Sequence, residues 1–479
     1  EERSAILNWL APVDYSSQQR DFIRRRQEGT GKWLLKSEEY QTWLGTQGKT
    51  LFCPGIPGAG KTSLASIVID DLSSQFAKDP TTNLAYIYCT FQRQNEQSAE
   101  GFLTNLLKQL VECQSSLPES VKDLYKQHRT KRPSLNEIST IFHTIISIPA
   151  RVFVVVDAMD ECQESDGCRN KFLSELFDAQ TKYRINLLVT SRFIPDIVDR
   201  FRYAATLEIR ASSKDVERYV EGHLDRLRPF VQKSRTLQQE IITGISNAVD
   251  GMFLLAQLYL HSLDDKTTPK QMRKAITSFG SSASGEDAKM QALSHAYEQA
   301  MERINGQKPG LTRLAMDVLA WVTCARRPLT VVELQHALAL EAGEPDLDED
   351  NLPQTEDMAA VCAGLVVVDE ESGIIRLVHY TAQEYFEWAQ TQGKWFPDPG
   401  RDIAVACVTY LSFDVFSSGC CHSDQELEER LRSNPLYNYA SCHWGYHACK
   451  YPAESVGVIE FLEDEKKVEA ASQVCMVDN

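Results

Sequence analysis

The octapeptide GIPGAGKT, Gly55 to Thr62, constrains the fold of this chain more than any other stretch. The preceding apolar run, Lys49 to Cys53, has the pattern of a short buried strand, and the residues that follow have that of an amphipathic helix. Such glycines let backbone N–H groups turn towards phosphate, the lysine reaches the β- and γ-oxygens, and the hydroxyl binds magnesium. The order strand, loop, helix therefore predicts a phosphate-binding loop in an α/β sheet.

Two other Gly-Lys pairs lie nearby, and neither meets this pattern. The pair Gly31-Lys32 is followed by Trp33, which has no hydroxyl, and the pair Gly48-Lys49 has Trp43 where the first glycine belongs. The predicted phosphate contacts are therefore confined to one loop: Gly55, Pro57, Gly58, Ala59, Gly60, Lys61, Thr62 and Ser63.

A second apolar run, VFVVV, ends in Asp157, at the carboxyl edge of a predicted strand, where open α/β sheets bind ligands. Asp157 is predicted to hold Mg²⁺ together with Thr62. Asp160 and Glu161 follow at a spacing that places further carboxylates near the γ-phosphate, and Glu161 is the preferred residue for orienting the attacking water. The alternative, a solvated acidic loop, would leave the phosphate loop without its usual partner.

A third run, INLLVTSR, ends in Arg192. An arginine at this edge could contact the γ-phosphate and distinguish a triphosphate from a diphosphate. A surface arginine is the alternative, and only the position of this run after the other two motifs favours the site.

The bound base is predicted to be adenine. Guanine recognition normally needs an Asn-Lys-x-Asp carboxylate, and the only candidate stretch, Asn170 to Leu173, ends in leucine. The expected cofactors are therefore ATP or ADP with Mg²⁺.

The composition argues against nucleic-acid and membrane partners. The chain has 50 Lys and Arg against 67 Asp and Glu, a formal charge of −17, which gives no basic footprint for nucleic acid or anionic lipid. No apolar run reaches the roughly 20 residues of a membrane span, and the stretch from Gly251 reads as a core helix. We therefore expect no nucleic acid and no membrane segment.

Thirteen cysteines fall in no Cys-x-x-Cys pair, which favours reduced thiols and a cytoplasmic location. The cluster CHWGYHAC, Cys442 to Cys449, leaves a metal site open as the less favoured alternative to one face of a packed helix. The chain lacks an initiator Met and a basic-then-apolar leader, so we expect no secretory signal and a longer natural N-terminus.

At 479 residues, with 43% of them hydrophobic, the chain is long enough for about three domains. Short β-rich runs alternate with helical patterns up to about residue 210, which predicts a parallel sheet covered by helices. After a helical stretch comes a Gly- and Ser-rich linker, Ser278 to Lys289, and then further helices and a hairpin around Asp369 to Gly373. Helices followed by a hairpin are typical of a winged helix. The predicted parts are a helical linker at 1–48, a nucleotide-binding domain at 49–210, a helical subdomain at 211–280, a winged-helix domain at 281–400 and a helical segment at 401–479.

Several stretches together resemble the NACHT-domain STAND NTPases, and particularly the fungal NOD-like receptors. The resemblance covers nearly the whole chain and implies an AAA+/STAND-like α/β P-loop NTPase fold, followed by a helical subdomain, a winged helix and a C-terminal helical segment. The stretches are GTGKWLL from Gly29, GIPGAGKTSLAS from Gly55, VVVDAMDEC from Val154, LLVTSR from Leu187, DGMFLLAQLYL from Asp250, RRPLTVVEL from Arg326 and LVHYTAQEYF from Leu377.

The resemblance also implies roles for residues outside the phosphate loop. It places Gly31-Lys32 near the nucleotide, with Trp33 helping to close the base pocket, and it makes His379 the winged-helix residue that contacts the β-phosphate of ADP. Animal members carry a proline where this chain has Gly251 to Phe253, so a nucleotide contact is not expected there.

By this resemblance the chain is a signalling switch, closed with ADP and oligomerising with ATP, in innate immunity or programmed cell death. Hydrolysis would be slow and would reset the switch. The full-length chain is expected to carry an N-terminal effector domain and C-terminal sensor repeats. Three alternatives remain: an ordinary ATPase, for which no second catalytic constellation is seen, a winged-helix regulator that binds nucleic acid, and a scaffold with a structural nucleotide.

Overall fold

A computed structural model describes residues 2–11, 13–90, 98–114, 116–128, 132–162, 167–249, 251–279, 286–341, 343–396, 398–449 and 457–477. The chain divides into two compact units, Glu1–Met290 and Gln291–Asn479. The first unit contains a five-stranded sheet and the second a three-stranded sheet. Of the predicted Gly- and Ser-rich linker, residues 280–285 lie outside the described part of the chain.

The larger sheet is parallel in every pair, as predicted. Its order is β2-β3-β4-β1-β5, so the strand that precedes the phosphate loop, β1, is separated from β3 by β4. Every residue of β1 and β4 is buried, because helices cover both faces of the sheet. The strands are β1 (Thr50–Pro54), β2 (Thr82–Tyr88), β3 (Arg151–Asp157), β4 (Asn186–Ser191) and β5 (Ala205–Thr206).

Most helices around this sheet begin at recognisable sequence signals. The hydroxyls of Ser37 and Ser98 accept hydrogen bonds from the first turns of α4 and α6, and Ser134 with Glu137 forms a capping box at α8. The helices are α1 (Glu2–Leu10), α2 (Tyr15–Arg25), α3 (Lys32–Leu35), α4 (Glu38–Gly45), α5 (Lys61–Gln75), α6 (Ala99–Glu112), α7 (Glu119–Gln127), α8 (Leu135–Ile146), α9 (Cys168–Tyr183) and α10 (Pro195–Arg200).

The rest of the first unit is helical. The apolar stretch after Gly251 forms a helix with six buried residues, as a core helix should. Among the residues that the structure describes, no helix is both long and apolar enough to cross a bilayer. These helices are α11 (Ser213–Gly222), α12 (Pro229–Gln232), α13 (Arg235–Ala248), α14 (Phe253–His261) and α15 (Pro269–Phe279).

The second unit begins with the helices and hairpin of a winged helix. Strands β7 and β8 pair in antiparallel fashion around the predicted turn, where Asp369 accepts hydrogen bonds from the amides of Glu371 and Ser372 and Gly373 has φ 65°. A capping box of Thr330 and Glu333 starts α18. The elements are α16 (Glu286–Asn305), α17 (Pro309–Cys324), β6 (Leu329–Thr330), α18 (Val331–Leu338), α19 (Thr355–Ala360), β7 (Val366–Val368), β8 (Ile374–Leu377) and α20 (Tyr380–Thr391).

The last segment is helical and includes the CHWGYHAC cluster. In this cluster His447 is buried and its Nε2 lies 2.9 Å from the hydroxyl of Tyr439, which is the environment of a packed helix face. No group of three metal-binding side chains occurs in the described ranges, and none of the thirteen cysteines forms a disulfide. The helices are α21 (Pro399–Leu411), α22 (Asp424–Ser433), α23 (Tyr437–Ala448), α24 (Val458–Glu463) and α25 (Glu465–Val477).

Candidate phosphate-binding site

The loop between β1 and α5 owes its shape to glycines. Gly58 and Gly60 have φ values of 69° and 97°, and Gly60 is the left-handed residue from which α5 begins. A Cβ on Gly55 would lie 2.6 Å from the carbonyl oxygen of Ile209, so only glycine lets the two backbones approach this closely. The first amides of α5 are therefore presented at the loop, as a phosphate site requires.

Lys61 begins α5 and turns its side chain into the loop. Its ammonium donates to the carbonyl oxygens of Gly55 at 3.0 Å and Ile56 at 3.1 Å, and the residue is 7% exposed. Burial lowers the pKa of Lys61, and the nearby carboxylates of Asp160 and Asp157 oppose this shift. A buried cation of this kind favours the binding of an anion beside it.

Asp157 ends β3 with its carboxylate almost completely buried, at 1% exposure. Burial raises its pKa, against hydrogen bonds from Thr190 and Thr62 and the charge of Lys61. The predicted pair of magnesium ligands, Thr62 and Asp157, is therefore brought together by the fold.

Thr190 holds Asp157 in place and was not among the predicted site residues. Its hydroxyl donates to Oδ1 of Asp157 at 2.6 Å and accepts from the amide of Ala158 at 2.9 Å. Ala158 has φ 54°, which turns the chain away from the strand immediately after the carboxylate. The sequence shows a hydroxyl residue at the end of the β4 run, but its role follows only from the order of the strands, because β4 lies beside β3.

Asp160 and Arg192 form an ion pair at the same edge of the sheet. Asp160 lies in the 3₁₀ turn Met159–Glu161, and its two oxygens accept hydrogen bonds from the backbone amide of Arg192 at 2.9 Å and from Nε at 2.8 Å. The carboxylate is 1% exposed and the arginine side chain 28%. Arg192 is thus a partner of Asp160 here, and its contact with a γ-phosphate stays a prediction.

Glu161 ends the same 3₁₀ turn and is only half-buried. Its backbone amide donates to the carbonyl oxygen of Ala158 at 2.8 Å, which closes the turn directly after Asp157. The two predicted carboxylates therefore differ in environment, since that of Asp160 is bonded to Arg192 on both oxygens.

The start of α14 contacts the phosphate loop through its backbone. The amide of Leu254 donates to the carbonyl oxygen of Gly58 at 3.1 Å. A Cβ on Gly58 would lie 2.8 Å from the Cβ of Leu254. The segment for which no nucleotide contact was expected therefore contacts the loop that is predicted to bind the phosphates.

His379 lies in the second unit, at the N-terminus of α20. Its Nδ1 accepts a hydrogen bond from the amide of Thr381 at 3.2 Å and lies 2.9 Å from the hydroxyl of Thr381, which in turn lies 2.7 Å from the hydroxyl of Tyr297. An accepting Nδ1 carries no hydrogen, so the neutral ring has its proton on Nε2. The role that the resemblance implies for His379 stays a prediction.

Two family models match parts of the chain. Residues 29–192 match Nephrocystin 3, N-terminal, and residues 301–394 match the winged helix domain of GPI inositol-deacylase. No curated protein matches the chain.

Solved structures resemble the chain at low sequence identity. The Walker-type ATPase PABY2304 of Pyrococcus abyssi is 11% identical over 77% of this chain and 99% of its own, with a TM-score of 0.37. The ORC2 protein of Aeropyrum pernix, solved as ADPNP-ADP complexes, is 13% identical over 77% and 93%, with a TM-score of 0.36. Drosophila ORC bound to DNA is 17% identical over 80% and 91%, with a TM-score of 0.30.

The matched regions agree with the observed architecture. The first family model covers the phosphate loop and the ends of β3 and β4, and the second covers the hairpin of β7 and β8. The parallel sheet, the phosphate loop after β1 and the winged helix together confirm the predicted fold class, an α/β P-loop fold with a parallel sheet followed by a winged-helix domain.

Proposed function

We propose that this chain binds ATP and ADP with Mg²⁺ and acts as a nucleotide-dependent signalling switch with slow hydrolysis. One observation carries the proposal: buried Lys61 lies in a glycine-rich loop beside the buried carboxylate of Asp157, which Thr62 and Thr190 hold by hydrogen bonds. This combination supplies a fixed cation, backbone donors and a metal ligand at one edge of the sheet.

The residues in and beside the loop would have different roles in binding the nucleotide and its metal ion. The amides from Gly58 to Ser63 and the ammonium of Lys61 would bind the phosphate oxygens. The hydroxyl of Thr62 and the carboxylate of Asp157 would hold Mg²⁺, and Thr190 keeps that carboxylate oriented. When bound, Mg²⁺ neutralises charge that develops on the phosphates during transfer.

The two acidic residues after Asp157 would have different tasks. Asp160 holds Arg192 through both of its oxygens, so its role is to position the arginine beside the site. Glu161 is only half-buried and lies in the same turn, which favours it as the group that orients an attacking water.

The contact between Leu254 and Gly58 supports a switch, because the helical part of the first unit is bonded to the phosphate loop itself. Inverting a 1:99 equilibrium between the ADP-bound closed state and the ATP-bound state requires about 5.5 kcal/mol of differential binding. Two or three charge-assisted hydrogen bonds to the phosphates, at about 1.5–3 kcal/mol each, are enough to supply this difference.

The further parts of the proposal rest on the resemblance to NACHT-domain proteins. These are retention of ADP through His379, self-assembly on exchange to ATP, and an output in innate immunity or cell death.

His379→Ala is expected to speed ADP release and to favour larger assemblies. An unchanged release rate with an unchanged size profile would remove His379 from the mechanism.

The testing experiment denatures the purified protein, identifies the released nucleotide by ion-exchange chromatography and measures steady-state hydrolysis of the intact protein. Tightly held ADP with slow turnover supports the switch. An empty site with brisk turnover would replace it by an ordinary ATPase. Lys61→Ala is the matched control: it should lose both the bound nucleotide and the turnover, and retained nucleotide would rule out this loop as the phosphate site.

A further inference from the structure

Two buried cysteines lie close together after the acidic residues of the phosphate site. Cys162 follows Glu161, Cys168 is the first residue of α9, and the two sulfur atoms are 3.7 Å apart. The residues are 2% and 5% exposed. In a disulfide the sulfur atoms are about 2.05 Å apart, so a movement of less than about 2 Å would bring this pair to bonding distance.

The start of α9 favours a negative charge on the sulfur of Cys168. The helix has 16 residues, and Cys168 occupies its first position after Gly167. The amides and the positive dipole end at a helix N-terminus stabilise a thiolate, as does a neighbouring arginine. Arg169, the next residue, is buried as well. Cys168 is therefore the thiol of the pair that is placed to react first with an oxidant.

Cys162 has the opposite character. Its hydrogen bond with Cys168 raises the pKa of the Cys162 thiol, and burial raises it further, against the charge of Arg169. A thiol that keeps its proton can donate it to the neighbouring sulfur, which stabilises a thiolate on that neighbour. The two sulfur atoms thus have different roles, since Cys168 is the attacking group and Cys162 is the thiol that reacts second.

We propose that a peroxide oxidises this pair to a reversible disulfide between Cys162 and Cys168, and that the disulfide slows nucleotide hydrolysis. The thiolate of Cys168 attacks one oxygen of hydrogen peroxide, which forms a sulfenic acid, breaks the O–O bond and releases hydroxide. The sulfur of Cys162 then attacks that of Cys168, the S–S bond forms, and the sulfenic oxygen leaves as a second hydroxide. The two hydroxides take up the two thiol protons, so peroxide is reduced to water by two electrons from the pair.

The disulfide would act on hydrolysis through the turn that contains Glu161, and this effect rests on the proposed function. The amide of Cys162 donates to the carbonyl oxygen of Met159 at 3.3 Å, so Cys162 closes the 3₁₀ turn Met159–Glu161. Drawing its sulfur towards α9 would displace Glu161, and a displacement of about 1 Å can lower a rate about a hundredfold. The lysine and the proposed magnesium ligands lie on α5 and β3, so nucleotide binding should persist.

The experiment treats the purified protein with hydrogen peroxide, unfolds it, blocks the remaining thiols with N-ethylmaleimide and maps the tryptic peptides by mass spectrometry. Cleavage after Arg151 and Arg169 leaves both cysteines in one peptide, residues 152–169. This peptide should be two hydrogens lighter and take up no N-ethylmaleimide, and dithiothreitol should restore both thiols. Cys53 is the internal control, because it is fully buried in β1 and burial raises its pKa, so it should stay a thiol.

The same samples are assayed for ATP hydrolysis and ATP affinity. Oxidation should slow hydrolysis at least about tenfold, reversibly with dithiothreitol, and leave the affinity unchanged. Cys168→Ser should keep its full rate in peroxide, whereas Cys162→Ser should accumulate a sulfenic acid at Cys168 that dimedone traps. The matched control is Cys420→Ser, which removes an exposed thiol and should be inhibited like the unmodified protein.

Three outcomes overturn the proposal. They are a peptide 152–169 that still takes up two N-ethylmaleimide groups after peroxide, equal inhibition of Cys168→Ser and the unmodified protein, and a disulfide that leaves hydrolysis unchanged. Failure of the proposed function looks different, because the reduced protein would then neither bind nor hydrolyse ATP, while the peptide would still lose two hydrogens.

Discussion

Thr190 donates a hydrogen bond to the carboxylate of Asp157 across 2.6 Å and so joins the ends of two neighbouring strands, β4 and β3. The same hydroxyl accepts from the amide of Ala158. One side chain thus satisfies both a buried acceptor and a buried donor, which are costly to leave without partners.

Replacing Thr190 by valine should destabilise the protein and weaken Mg²⁺-dependent ATP binding. Valine has nearly the same shape but no hydroxyl, so Asp157 and the amide of Ala158 lose their shared partner at a cost of about 1–3 kcal/mol. Urea unfolding gives the free energy, and Thr190→Ser, which keeps the hydroxyl, is the control. Equal stability of the valine and serine variants would contradict the role of this bond.

The pH dependence of the site should follow Asp157. Burial raises the pKa of the Asp157 carboxyl, so the folded protein binds this proton more tightly than the unfolded chain does. The contribution of Asp157 to the free energy of unfolding is therefore largest at low pH, and it falls as the pH rises through the raised pKa. Mg²⁺ needs the ionised carboxylate. Mg²⁺-dependent ATP affinity should therefore decline on acidification at a higher pH than an ordinary aspartate would give, as measured by titration at a series of pH values.

The control for this pH dependence is Asp157→Asn. Its ATP affinity should no longer respond to Mg²⁺ or to this titration. Without nucleotide the variant should be more stable near neutral pH, because the amide carries no charge that burial would disfavour. A loss of stability in the same measurement would show that the ionised carboxylate is favourable in the folded protein.

Lys61→Ala should reduce nucleotide affinity at least about a hundredfold, or roughly 3 kcal/mol, because it removes the only lysine buried in the loop that is predicted to bind phosphate. Circular dichroism and thermal unfolding should show an intact fold. The matched control comes from the second Gly-Lys pair: Lys49→Ala changes an exposed side chain and should bind nucleotide normally. Retained binding in Lys61→Ala would rule out this loop as the phosphate site.

Two glycines of the loop allow the contact with α14 to be separated from backbone strain. Gly58→Ala and Gly60→Ala both place a side chain at positive φ, but only at Gly58 would the new Cβ meet Leu254, at 2.8 Å, whereas Gly60 has no atom within 4 Å of that position. Gly58→Ala should therefore cost about 1–3 kcal/mol more, the range of an overpacked site.

Urea unfolding of the two variants, with limited proteolysis of α14, measures this difference. Easier cleavage of α14 is expected for Gly58→Ala alone. Identical behaviour of the two variants would mean that α14 moves aside freely, and the support for coupling between this helix and the phosphate loop would be lost.

Much of the nucleotide-binding architecture follows from local sequence patterns. The phosphate loop needs glycines, a lysine and a hydroxyl at set spacings, and the buried strands appear as apolar runs, so both can be predicted from adjacent residues. The turn between β7 and β8 is marked by Asp369 and Gly373 in the same way. Asp157 could be placed in the site because the residue that ends a buried strand is known from the sequence.

The tertiary structure decided which distant residues meet. The order of strands puts β4 between β1 and β3, and only then does Thr190 reach Asp157 and Arg192 reach Asp160. The contacts of Leu254 with Gly58 and of Asp215 with Gly31 join segments more than 180 residues apart. No local periodicity records such pairs, because they depend on how helices and strands pack, and packing is a property of the whole folded unit.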